Sequence, residues 1–224
     1  FQFLFMFLNE YNPNKSTLAT FLNDKKNRLL ENFINSLKDF AFYNTVLKKT
    51  KEIHPDFRYG SKGAWALLLV KTMLEEKGLN YRNLPKGLIP FHKYKKYSTT
   101  SFEEHLYESA YYASVNNNVY LHFTFAKKHV NLFKKEFEAI KNRVSKKTKT
   151  KFHISYSFQK KETDTIAVNN DNTLFKNVNS NCVTRPSGHG ALIQNLNEID
   201  ADILFIKNID NVVAEQYVDE VAYY

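Results

Sequence analysis

Between residues 119 and 158 the spacing of apolar residues changes period twice, and this limits the folds open to the chain. Val119-Tyr120-Leu121-His122-Phe123-Thr124-Phe125 is short, aromatic and β-branched, which predicts a strand. Lys127–Val144 then places Val130, Phe133, Phe137 and Ile140 on one face of a helix. Phe152-His153-Ile154-Ser155-Tyr156-Ser157-Phe158 predicts a second strand. Further on, Ala191–Ile199 predicts a short helix, and Ile203-Leu204-Phe205-Ile206 an almost uninterrupted apolar strand for the buried middle of a sheet. Strand, helix, strand, helix, strand is a parallel layout. The expected class is α/β, with a mixed, mainly parallel sheet and flanking helices.

The N-terminal part is largely helical in pattern. From Ser16 to about Tyr43, apolar residues at 18, 21, 22, 29, 30, 33, 34, 37 and 40 predict one or two amphipathic helices. A helix over Lys62–Lys77 should stop at Gly78, in the left-handed C′ position. After a loop with Pro85 and Pro90, Thr100 or Ser101 caps a helix with Glu103 or Glu104 three places on. That helix would turn Phe102, Leu106, Ala110 and Ala113 to the core, with His105 on its surface. The chain opens inside the apolar run Phe1–Leu8 and ends in a segment, Val212–Tyr224, that begins like a helix, so it reads as a fragment. The expectation is one truncated domain over 1–224, with a helical subregion 1–80 and an α/β core 81–224.

Composition narrows the function classes. At 43% apolar and 15% aromatic residues, intrinsic disorder is excluded. The longest apolar runs, Phe1–Leu8 (broken by Gln2) and Ala64–Val70, fall short of the roughly 18 residues of a membrane span. The single cysteine, Cys182, excludes a disulfide framework and any multi-cysteine zinc site, so a cytoplasmic setting is expected. The net charge of +9 comes from 27 Lys and only 5 Arg (Arg28, Arg58, Arg82, Arg143, Arg185), beside 25 Asn. That surplus fits an A/T-rich coding sequence, and lysine lacks the planar fork that reads bases and phosphates. It argues against a nucleic-acid partner, and the run Lys141–Lys151 reads as a solvated helix end.

Three segments carry the candidate chemistry. In Leu84-Pro85-Lys86-Gly87-Leu88-Ile89-Pro90, a turned backbone exposes Lys86 as a point charge for phosphate. In Arg185-Pro186-Ser187-Gly188-His189-Gly190, two glycines before a helix let a nucleotide base or phosphate approach the backbone. Ile206-Lys207-Asn208-Ile209-Asp210-Asn211 ends an apolar strand in polar groups, at the sheet edge where α/β proteins bind ligands. If extended, it projects Asn208 and Asp210 to one side, and Asp210 is a hard oxygen donor suited to Mg²⁺. Read singly, each also fits an ordinary loop or turn. The seven His lack metal spacing, and Cys182 has no base beside it. His153 reads as structural or exposed, and Thr163-Asp164-Thr165 as a turn.

Taken together and in order, the three segments resemble sugar nucleotidyltransferases. Pro85-Lys86-Gly87 is similar to their Pro-Lys segment, Gly188-His189-Gly190 to the Gly-His-Gly or Gly-Asn-Gly loop of UDP-sugar pyrophosphorylases, and Asn208-Ile209-Asp210-Asn211 to their Asn-x-Asp-Asn strand end. Residues 3–213 also resemble a bacterial family known as a domain of unknown function, through Leu84–Tyr94, Phe102–Ala113, Ser157–Val168 and Arg185–Val213. That family in turn resembles the GT-A nucleotide-diphospho-sugar transferases.

The resemblance implies a GT-A fold and a role for each residue. Lys86 contacts the triphosphate or pyrophosphate as the catalytic cation, and Gln159, Gly188, His189 and Gly190 meet the base and ribose. Asp210 holds Mg²⁺, supported by Asn208 and Asn211. The reaction is attack of a sugar 1-phosphate on the α-phosphate of a nucleoside triphosphate, releasing pyrophosphate. Two alternatives stay open: a glycosyltransferase taking a nucleotide-sugar, against which Asn208 stands in place of the first Asp of Asp-x-Asp, and a non-catalytic nucleotide- or RNA-binding module. The Gly-rich loop that opens the pyrophosphorylases has no counterpart here and is expected upstream of Phe1. Base, sugar and oligomeric state are not specified by the sequence.

Overall fold

The computed structural model describes residues 2–56 and 60–223. Phe1, Arg58 and Tyr224, touched on above, lie outside them. The described chain is mixed α/β, with about half its residues helical. It divides into two compact units, Phe1–His105 with Ile209–Val221, and Leu106–Asn208 with Ala222–Tyr224.

The first unit is mainly helical. Helices α1 (Gln2–Glu10), α2 (Leu18–Leu22), α3 (Arg28–Asn35), α4 (Tyr43–Ile53) and α5 (Lys62–Leu74) surround one apolar cluster. Leu4, Phe7, Leu30, Val46, Leu69, Met73 and Leu74 are almost completely buried there, each burial contributing about 1.5–3 kcal/mol. Thr17 and Ser61 start α2 and α5 by accepting the backbone N–H groups of Thr20 and Ala64. The stretch expected as one or two helices is broken at Asp24, whose carboxylate caps a separate 3-10 turn. Helix α4 was not foreseen.

Two expectations about this unit are corrected. Helix α5 ends at Leu74 with Glu75 extended as its C-cap, and no described glycine has a positive φ; the next left-handed residue is Asn80, at φ 53°, five residues past the cap. Gly78 is required for space instead, because a Cβ there would sit 1.9 Å from the Thr72 carbonyl oxygen. Beyond it, β1 (Pro90–Lys93) and β2 (Ser98–Thr100) pair antiparallel and lead into α6 (Ser101–Tyr112). The Thr100 hydroxyl accepts the Glu103 N–H at 3.1 Å, the expected cap. His105 is not on the surface: it is 7% exposed, in a helix whose polar side is buried.

In the second unit, β3 (Asn118–Thr124) and β4 (Lys151–Ser157) pair in parallel around α7 (Val130–Thr148). Val119, Phe123 and Phe152 of the strands and Phe133, Ile140 and Val144 of α7 are buried, and Phe125 stacks on Phe133 at 4.3 Å. The two strands and their crossover are as the sequence predicts. A short antiparallel pair, β5 (Thr165–Ile166) and β6 (Thr184–Arg185), precedes α8 (Ile193–Asn197). A last helix, α9 (Val218–Tyr223), covers part of the helical C-terminal segment expected.

The mainly parallel sheet is not found among the described residues. Their strands form three two-stranded sheets, of which one is parallel. Ile203-Leu204-Phe205-Ile206 is irregular, and its residues are 76%, 39%, 62% and 71% exposed. An apolar run has the composition of a central strand, but only a neighbouring strand can bury it and satisfy its backbone. No described strand pairs with it. Lys207 and Phe205 instead reach α6, by an ion pair to Glu108 and a ring contact to Tyr112 at 5.0 Å.

Candidate functional site

Lys86 opens a one-turn 3-10 segment, Lys86–Leu88, after Pro85, whose fixed φ of −66° presents the turn. Asp210 lies in a turn with Ile209, so Asn208 and Asp210 are not on one extended edge as expected. The Lys86 ammonium donates to Asp210 Oδ2 at 2.9 Å across 124 residues of chain, both within the first unit. The side chains are 76% and 43% exposed. A pair so open to water is worth about 0–1 kcal/mol, so stability does not require it.

The turn bearing Asp210 is held from both sides. The His105 ring meets the Ile209 carbonyl at 3.2 Å, and a carbonyl only accepts, so Nε2 carries the proton. On the other side, Val212 is buried and the Glu215 N–H donates to the Tyr94 hydroxyl at 3.0 Å. That hydroxyl donates to Glu104 Oε1 at 2.8 Å. The same oxygen accepts from the Thr99 hydroxyl and from His92 Nδ1 at 3.1 Å. Burial raises the Tyr94 phenol well above its ordinary range.

Sequence reasoning missed this polar side of α6. Glu103, Glu104 and Glu108 are each 1–2% exposed. A signal was present: no Lys or Arg occurs between Lys96 and Lys127, so any Lys or Arg that meets these carboxylates comes from outside that stretch. In the second unit Lys207 pairs with Glu108, and burial, followed by that carboxylate, pushes the Tyr112 phenol up to about 12.

The remaining candidates are placed as follows. Asn211 is exposed, next to Asp210. Gln159, Gly188, His189, Gly190 and Asn208 belong to the second unit. Gly188 leads into a 3-10 turn, His189–Leu192, and a Cβ on Gly188 or Gly190 would meet nothing within 4 Å. Gln159 Nε2 is buried without a partner, as is Oδ1 of Asn195, whose Nδ2 donates to the Phe158 carbonyl at 2.9 Å. Asn195 was not among the sequence candidates. His153 is half-buried against Asn118 Oδ1, and Cys182 is exposed and free.

Among the described residues no group of three or more His, Cys, Asp or Glu could hold a metal. Asp210 offers one carboxylate, which fits Mg²⁺ only where phosphate and water complete the shell, its usual arrangement. A cavity of about 440 Å³ lined by Ile53, His54, Pro55, Asp56, Gly60 and Leu68 contains none of the candidate residues. No described helix is long and apolar enough to cross a membrane.

Residues 1–224 match the family model described as Domain of unknown function (DUF4301), and the chain belongs to that family. No curated protein and no solved structure matches it.

Proposed function

We propose that this chain handles nucleotides as a magnesium-dependent sugar nucleotidyltransferase of GT-A type, converting a nucleoside triphosphate and a sugar 1-phosphate into a nucleotide-sugar and pyrophosphate. The observation that carries the reading is the meeting of Lys86 and Asp210 at 2.9 Å in an exposed pair. A cation and a carboxylate at this spacing, cheaply separated, suit a triphosphate arriving with its divalent ion. Lys86 would bind phosphate oxygens as a point charge, and Asp210 would give one oxygen to Mg²⁺. The bound ion would neutralise charge on the transferring phosphate. No general base is needed, because the sugar phosphate is already an anion; the protein's task is alignment and charge.

In the second unit, the open space beside Gly188 and Gly190 supports close approach of a base or ribose, since packing does not explain either glycine. His189 and Gln159 would add polar contacts to that ligand, and in the first unit Asn211, next to Asp210, would support it. A cytoplasmic setting goes with these substrates.

The test is pyrophosphate release by the full-length protein with each nucleoside triphosphate and a panel of sugar 1-phosphates. Release should require Mg²⁺ and fall at least about 100-fold in Asp210→Asn and Lys86→Ala, the scale of a lost transition-state contact. Equal release by wild type and Asp210→Asn would remove the reading.

A further inference from the structure

The sheet face turned away from α7 carries a chain of side chains that nucleotide transfer leaves unused. Parallel sheets are ordinarily apolar on both faces. Here alternate positions give Asn118, Tyr120, His122 and Thr124 on β3 and His153, Ser155 and Ser157 on β4, with Tyr120 73% exposed. The register sets His122 opposite Ser155 and Thr124 opposite Ser157. His122 Nδ1 lies 2.8 Å from Ser155 Oγ and Nε2 lies 2.8 Å from Ser157 Oγ. Thr124 Oγ1 is 2.9 Å from Ser157 Oγ, and Ser155 Oγ makes a longer contact of 3.4 Å to the Leu121 carbonyl.

One placement of protons gives every donor in this chain an acceptor. The Leu121 carbonyl only accepts, so the Ser155 hydroxyl donates to it and receives the His122 Nδ1–H. Nε2 is then the bare nitrogen. It accepts the Ser157 hydroxyl, whose oxygen accepts from Thr124. The order is nucleophile, base and orienting group, which is how a serine is activated on unrelated folds.

We infer that Ser157 is a nucleophile, with His122 as its general base and Ser155 fixing the imidazole tautomer, and that the site takes an acyl group from an activated ester. Thr124 and Ser157 end their strands, at the carboxyl edge where open α/β sheets receive ligands. Burial lowers the pKa of His122, which keeps the ring neutral and able to accept a proton near pH 7. In the step, Ser157 Oγ bonds to the ester carbonyl carbon while its proton passes to His122 Nε2. The bond to the leaving alcohol then breaks, the alkoxide takes that proton, and an ester remains on Ser157. This inference is independent of the Lys86–Asp210 reading.

Full-length protein is treated with p-nitrophenyl acetate and acetyl occupancy at Ser157 is followed by peptide mass mapping, which separates it from acetylated lysine. Ser157 should be acetylated far faster than in urea-unfolded protein. His122→Gln and His122→Asn should slow the reaction at least about 100-fold, the low end for a general base, with unchanged circular dichroism. Ser155→Ala should slow it too, and Ser155→Thr should restore it. Acetylation of Ser157 no faster than in unfolded protein, or at the same rate in both His122 variants, overturns the inference.

Discussion

Replacing Glu104 tests whether one buried carboxylate organises the β1–β2 hairpin and, through Tyr94, the segment that follows Asp210. Glu104 is 2% exposed, and a single oxygen accepts from Tyr94, Thr99 and His92. A hydrogen bond to a charged group is worth about 1.5–3 kcal/mol, and a buried group left unpaired costs about 1–3 kcal/mol. Thr99 is 1% exposed, so in Glu104→Ala its hydroxyl has no water to turn to. His92 and Tyr94 are less enclosed and recover part of their loss. The expected destabilisation is therefore about 3–5 kcal/mol for Glu104→Ala. Glu104→Gln keeps the accepting oxygen but not its charge, and should cost about 1–2 kcal/mol. The assay is equilibrium urea unfolding followed by fluorescence of Trp65, the single tryptophan, which packs against the core of the same unit. A Glu104→Ala protein within about 1 kcal/mol of wild type would refute the argument.

Three further outcomes are expected. Lys207→Met takes the ammonium away from Glu108, which is 1% exposed; it should cost about 3 kcal/mol in denaturant, most of it recovered in Lys207→Met/Glu108→Gln. Gly78→Ala forces a Cβ against the Thr72 carbonyl and should destabilise the protein by about 1–3 kcal/mol, seen as a lower thermal midpoint. His122 and His129 both have lowered pKa values, chiefly by burial, so the unfolded chain takes up protons first as pH falls through about 6.5. Their contribution is complete above that pH and lost below it, and the acid-side loss of stability should shrink in His122→Gln.

Local pattern carried the fold where the deciding forces were local. β3, α7 and β4 were legible because each shows its period over at least seven residues and one apolar face suffices to place it. Ile203–Ile206 was misread because burial of a strand depends on a neighbour that its own sequence does not encode. Gly78 was assigned a conformational role when its constraint is a carbonyl oxygen six residues earlier. The buried side of α6 stayed hidden because glutamate on a helix ordinarily faces water, and its partners Lys207 and His92 lie on other elements. At the candidate site the sequence singled out Lys86 and Asp210 separately, but not the contact between them, since no periodicity joins positions 124 residues apart.

The central claim is that Lys86 and Asp210 receive a triphosphate with its magnesium ion. Calorimetric titration of the full-length protein with each nucleoside triphosphate, with and without Mg²⁺, tests it, repeated on Asp210→Ala. The account predicts that one triphosphate binds, that binding needs Mg²⁺, and that Asp210→Ala weakens it at least about tenfold, about 1.4 kcal/mol. Absence of binding by every triphosphate, or binding indifferent to Mg²⁺ and to Asp210→Ala, would contradict it.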